Sequence, residues 1–101
     1  MTAELSKIKA YLGFAIKSRA IKYGVDDILK LKSADIILIS DLLAESSLKK
    51  LLTFAEQKHC VAKVIESNDF EALFDGNKSI KAVAVVDKNL AGAIKKIMTN
   101  F

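Results

Sequence analysis

The sequence contains no proline, no tryptophan and a single cysteine in 101 residues. One thiol, Cys60, excludes an internal disulfide framework and any multi-cysteine metal site. The four glycines are scattered, so they form neither a P-loop nor a dinucleotide-binding fingerprint. No apolar run approaches the roughly 18 residues that a membrane-spanning helix needs. The N-terminal stretch, Met1 to Lys9, lacks a basic region followed by an apolar one, so no signal peptide is expected. No repeat, linker or low-complexity tail stands out. Together these absences lead to the expectation of a cytoplasmic protein that is not bound to a membrane. What is present is a core: 51% of the residues are hydrophobic, which excludes disorder. A chain of this length fits one domain, residues 1–101.

Charge is distributed unevenly. The net charge is +4. Residues 1–34 hold seven basic side chains (Lys7, Lys9, Lys17, Arg19, Lys22, Lys30, Lys32) and three acids (Glu4, Asp26, Asp27), and residues 35–101 hold nine of each sign. All of the excess therefore lies in the first third. Such a patch attracts polyanions, chiefly nucleic acid or an anionic membrane surface. It is equally compatible with an ordinary lysine-rich solvated surface.

The hydrophobic pattern alternates between two periods. Thr2 is placed to cap a helix over residues 3–17, in which Leu5, Ile8, Leu12, Ala15 and Ile16 recur at helical spacing. Gly13 lies inside that helix at a cost of about 1 kcal/mol against alanine, and close backbone packing is the expected reason. Residues 20–23 read as a short strand that Gly24 breaks, and helical spacing resumes from Val25 to Leu31. Ala34 to Ser40 is nearly all apolar, as in a strand buried on both faces. A helix from Leu43 to Lys58, a strand from Val61 to Ile65 and a short helix from Asp69 to Phe74, ended by Gly76, follow. Ala82 to Val86 reads as another buried strand, and Leu90 to Met98 as a final helix. Strands alternating with helices predict an α/β fold: a three-layer αβα sandwich with a mixed central sheet of about four strands. The Ile36–Ile39 and Val83–Val86 strands are expected at its centre.

Few residues suggest chemistry. His59 and Cys60 are adjacent, and adjacent residues of an extended segment point to opposite faces, which makes a poor nucleophile–base pair. Asp41 follows a buried strand, where open α/β sheets often place reactive groups, but helix capping explains it more simply. Asp26, Asp27, Asp35, Asp41 and Asp87 do not follow the strand order that a Mg²⁺-binding receiver domain requires. Neither a metal nor a cofactor is expected, nor is catalysis.

The segment from Lys17 to Lys30 is more informative. Lys17, Arg19 and Lys22 precede Gly24, which opens a helix whose first turn carries Asp26 and Asp27, with Lys30 one turn on. Free N–H groups at a helix start suit phosphate or base-edge oxygens. Carboxylates there accept hydrogen bonds from base amino and imino groups, while lysines hold the backbone. A purely structural role fits equally well, because acids favour a helix start and Asp26 with Lys30 forms an i,i+4 pair worth about 0.3 kcal/mol.

Several landmarks recur together in a known order. Leu12-Gly-Phe-Ala15, Gly24-Val-Asp-Asp-Ile-Leu-Lys30, Ile36-Ile-Leu-Ile-Ser-Asp41, Glu66-Ser67, Gly76 and Val85-Val-Asp87 are spaced as in the L-seven-Ae/L-thirty-e ribosomal-protein superfamily. Over nearly its whole length the chain resembles that superfamily, and most of all its small bacterial YlxQ-type members. The resemblance implies an αβα sandwich that binds RNA kink-turns as a monomer without catalysis, associated with the ribosome or another structured RNA. It assigns RNA contact to Gly24, Val25, Asp26, Asp27 and Lys30, with Lys22 beside them and Lys17 and Arg19 as further basic neighbours. The polar pair would read guanine edges in sheared G·A pairs. The loop Gly76, Asn77, Lys78, Ser79 and Ile80 would cover extruded bases. The chain differs from the strongest RNA binders in carrying Asp26-Asp27 where they have Asn-Glu. A protein-interaction module of the same fold that has lost kink-turn recognition is the alternative.

Overall fold

The computed structural model describes residues 2–99. Met1, Asn100 and Phe101 of the expected domain lie outside the described residues. The elements are α1 (Ala3–Lys17), β1 (Ile21–Tyr23), α2 (Val25–Leu29), β2 (Ile36–Ser40), α3 (Glu45–Gln57), β3 (Val61–Ile65), α4 (Ser67–Leu73), β4 (Ala82–Val85) and α5 (Lys88–Met98). They build the expected α/β sandwich around a four-stranded mixed sheet of order β1-β4-β2-β3. β2 runs parallel to β3, as a strand–helix–strand crossover through α3 dictates. β4 is antiparallel to both of its neighbours, β1 and β2.

The two strands expected at the centre are there, and every residue of both is buried. Their side chains alternate between two cores, as the period of two requires. Ile36, Leu38, Val83 and Val85 join Leu5, Ile8, Leu12 and Ala15 of α1, Phe70 and Leu73 of α4, and Ala91, Ile94 and Met98 of α5. Ile37, Ile39, Ala82 and Ala84 join Ile28 of α2 and Leu51, Phe54 and Ala55 of α3. In that second core the cross-strand pairs Ile37–Ala84 and Ile39–Ala82 set a large residue beside a small one, so the layer fills without overpacking.

Local signals account for most boundaries. Thr2 Oγ1 accepts from the Leu5 N–H at 3.2 Å, capping α1. Asp87 Oδ1 accepts from the Leu90 N–H at 3.0 Å, so α5 begins two residues before the apolar pattern does. Two expectations are corrected. Asp41 does not cap α3: the N-cap is Ala44, without a side-chain bond, and the Asp41 N–H donates to the Ile65 carbonyl at 3.0 Å. Ser40 Oγ instead accepts from the Leu42 N–H, tightening the turn that leaves β2. Gly13 is not closely packed either, because a Cβ there would meet nothing within 4 Å. It forms part of the floor of a shallow depression of about 240 Å³, walled by Lys9, Ile16, Tyr23, Phe74 and Ile80.

Candidate nucleic-acid interface

β1 ends in Gly24, whose φ of 86° and ψ of 152° lie in a region essentially open to glycine alone. This single residue turns an edge strand into α2 without a loop. Its N–H donates to the Ala82 carbonyl at 3.0 Å, and Tyr23 pairs with Val83. The start of α2 is thereby joined to the start of β4, and so to the Gly76–Ile80 loop that feeds β4. About fifty residues separate the two segments along the chain, and the antiparallel β1–β4 pairing brings them to one end of the sheet.

The loop is held in shape by its own bonds. Asp75 and Gly76 both have positive φ, 56° and 79°, and the Gly76 N–H donates to the Glu71 carbonyl at 2.8 Å, closing α4. Asn77 Oδ1 accepts from the Ser79 N–H at 3.0 Å and from Ser79 Oγ at 2.6 Å, a side-chain-capped turn. Lys81 Nζ donates to the Lys78 carbonyl. Asp75 pairs with Lys9 at 2.6 Å, tying the base of the loop to α1. Ile80 packs on the core, while Gly76, Asn77, Lys78 and Ser79 are exposed.

On α2, Ile28 is fully buried and Val25 and Leu29 pack beside it, so Asp26, Asp27 and Lys30 face solvent. The i,i+4 pair between Asp26 and Lys30 does not form. Among the described residues the ion pairs are Lys9–Asp75 and Lys49–Glu45. Both groups are therefore unengaged. The α2 helix is only five residues long, shorter than its apolar spacing predicts, because Leu31 packs on the core from outside the helix. So short a helix contributes little dipole, and the chemistry of this end rests on side chains.

Lys22 is exposed in the middle of β1, and its neighbours Ile21 and Tyr23 turn to the α1 side of the sheet. There Tyr23 meets Phe74 edge to face with ring centroids 6.5 Å apart, and partial burial raises the Tyr23 pKa. Gly24 thus lies at the end of the sheet that the Gly76–Ile80 loop feeds, with Lys22 before it on β1 and Val25, Asp26, Asp27 and Lys30 following along α2. Lys17 and Arg19 do not lie at that end. Arg19 takes a φ of 59° in the turn that closes α1, and the next residue, Ala20, accepts at its carbonyl from the Val86 N–H. They precede Ala20, at the far end of β1, which itself lies about 13 Å of extended chain from Gly24.

The remaining reactive groups stay apart. Among the described residues no three His, Cys, Asp or Glu side chains come together as a metal site would need. Cys60 is half-buried, and burial raises its thiol pKa; Lys95 pulls it down and Asp35 pushes it further up. One cluster escapes a reading of charge by chain segment. α3 carries Lys49, Lys50 and Lys58 along a groove of about 510 Å³ against Leu29 of α2. The balanced charge of residues 35–101 conceals it, although Lys50, Thr53 and Gln57 recur at the spacing of one helix flank.

No family model matches this chain, and no curated protein sequence does. Among solved structures the fold is similar to that of a protein with unknown function from Bacillus halodurans C. The TM-score is 0.77 at 17% identity, covering 92% of this chain and 97% of that one. At that identity the likeness establishes the shared three-layer α/β architecture and nothing finer.

Proposed function

We propose that the protein binds structured RNA of the kink-turn type, as a non-catalytic, cytoplasmic component of the ribosome or of another ribonucleoprotein. The observation that carries this reading is the Gly24–Ala82 hydrogen bond, which unites the two segments that the resemblance assigns to RNA. On this reading Asp27 accepts hydrogen bonds from guanine edges, Lys22 and Lys30 neutralise phosphates, and the Gly76–Ile80 loop lies over extruded bases. Its internal bonds hold that loop ready, so less ordering entropy is lost on binding. Lys17 and Arg19 fall outside this footprint. On this reading the protein binds its RNA as a monomer, with neither a metal nor a cofactor. Among the described residues no helix is long and apolar enough to cross a membrane.

Asp26 favours a second reading, a protein-interaction module of the same fold, because an unengaged carboxylate beside the proposed phosphate contacts repels RNA. A gel shift against a standard kink-turn and a matched duplex lacking the G·A pairs separates the two. Preference for the kink-turn, with affinity falling steeply as salt rises, is the expected result. Equal, weak binding to both RNAs overturns the first reading in favour of the second.

A further inference from the structure

The groove between α2 and α3 is built unlike the rest of the surface. Its lining includes Lys49, Lys50 and Lys58, the neutral donors Thr53 and Gln57, and no carboxylate. Leu29 and Phe54 form its bottom, and Phe54 is only 5% exposed. Lys58 Nζ lies 5.9 Å from the centre of the Phe54 ring, so its charge is held over an aromatic face. Lys49 has one acidic neighbour, Glu45 at 3.7 Å, and both side chains are largely exposed, so that pair leaves Lys49 available. The α2 wall continues directly into Lys30, already assigned to RNA, and then to exposed Lys32. Lys30 and Lys32 therefore add exposed positive charge on the chain just after Leu29, beyond Asp26 and Asp27 at the start of α2.

Lysines interleaved with hydroxyl and amide donors are the side-chain mixture that contacts a nucleic-acid backbone. A membrane surface is a poorer match. Interfacial binding needs apolar side chains that insert, whereas Phe54 is covered. We propose that the α2–α3 groove grips the phosphate backbone of the helical stem flanking the RNA element held at Gly24–Lys30 and the Gly76–Ile80 loop. This second contact rests on the RNA-binding reading above. It reads no sequence; it adds affinity and sets the direction in which the stem leaves the protein.

The test uses three RNAs over a salt series: a kink-turn with minimal stems, the same kink-turn with its stems extended by about one helical turn, and the matched duplex lacking G·A pairs. The double variant Lys49→Ala/Lys50→Ala is compared with Lys7→Ala/Lys88→Ala, which removes equal charge from exposed positions on α1 and α5. Alanine is a better helix former than lysine, so both variants are expected to fold. The groove variant should bind the extended-stem RNA about tenfold more weakly at physiological salt, with a salt slope shallower by nearly two units. The minimal-stem RNA and the preference for G·A pairs should be almost unaffected, and the control should match wild type. An unchanged slope alongside an intact kink-turn preference overturns the groove while leaving the main reading in place. A shallower slope on the duplex, with no kink-turn preference, supports the groove and overturns kink-turn recognition. Binding of phosphatidylserine-containing vesicles that the groove variant loses, with RNA affinity unchanged, also overturns the proposal.

Discussion

Along β4, valine alternates with alanine, and the two sides of the sheet differ accordingly. Val83 and Val85 face three helices and a core that includes Phe70, Ile8, Leu12 and Ile94, all essentially inaccessible. Ala82 and Ala84 face two helices, one of them only five residues long. An isolated helix of that length is unstable in water, so α2 exists because Ile28 is buried against the sheet with Val25 and Leu29 beside it. The first side spends its surface on packing. The second anchors a short element by one stripe and leaves Asp26, Asp27 and Lys30 outward, with the lysine groove next to it. On the proposed reading, packing is concentrated on the three-helix side and the α2 contacts on the other, while the Gly76–Ile80 loop reaches the same end of the sheet from the three-helix side, where Ile80 packs.

Five substitutions press on that division, and the largest effect belongs to the three-helix side. Phe70→Ala removes a fully buried ring and should cost about 3–5 kcal/mol in urea unfolding, while the protein that remains folded binds RNA normally. If its RNA affinity falls as far as that of a binding-surface variant, the layers are not independent. Gly24→Ala lies on the boundary between the two roles. A methyl there meets no neighbour within 4 Å, but the backbone conformation disfavours any side chain. A loss of about 1–3 kcal/mol is expected, together with weaker RNA binding, because the start of α2 must shift.

On the two-helix side, Lys30→Ala should leave stability within about 0.5 kcal/mol of wild type and make the salt slope shallower by roughly one phosphate contact. Its counterpart Asp26→Asn should tighten RNA binding, because it removes a repulsive charge and supplies an amide donor. A good bidentate base contact contributes about 1–3 kcal/mol of discrimination, which gel shifts against the G·A and control RNAs measure. The smallest effect is Gly13→Ala, which should stabilise the protein by up to about 1 kcal/mol in thermal melts and leave RNA affinity unchanged. A destabilised variant would mean that the helix tolerates no side chain at this position.

How far the sequence revealed this arrangement depended on whether the signal was local. α1 and β3 occur over the residues that their periodicity predicts, because each has an unbroken pattern and α1 a capping threonine at its start. The core strands were equally legible as runs of branched residues. Helix ends were less so: Leu31 and Leu43 extend the apolar spacing of α2 and α3, yet both pack on the second core from irregular segments. Gly13 and Asp41 were misread because a glycine in a helix and an acid after a strand each have several explanations that spacing does not separate. For the candidate site, Gly24–Lys30 and Gly76–Ile80 were recognisable as segments. That Gly24 lies beside the start of β4, next to the end of that loop, and that Lys17 and Arg19 lie at the opposite end of β1, depends on the pairing of β1 with β4, which no local pattern encodes. The α3 lysines were invisible to a tally of charge along the chain, because only folding separates them from the acids nearby.

That same pairing governs when the Gly24 end of the sheet comes into being. Among the described residues β1 pairs with β4 alone, and β4 lies between β1 and β2 in the sheet. As the chain emerges from the ribosome, β2 and β3 can join through their α3 crossover, but β1 must wait until residues 82–85 have been made. Until then Gly24 has no carbonyl to hold, the Gly76–Ile80 loop has no strand to enter, and α2 has only half of its floor. The β1 edge and the start of α2 are thus the last part of the sheet to assemble, so a nascent or truncated chain lacking β4 lacks the proposed recognition surface.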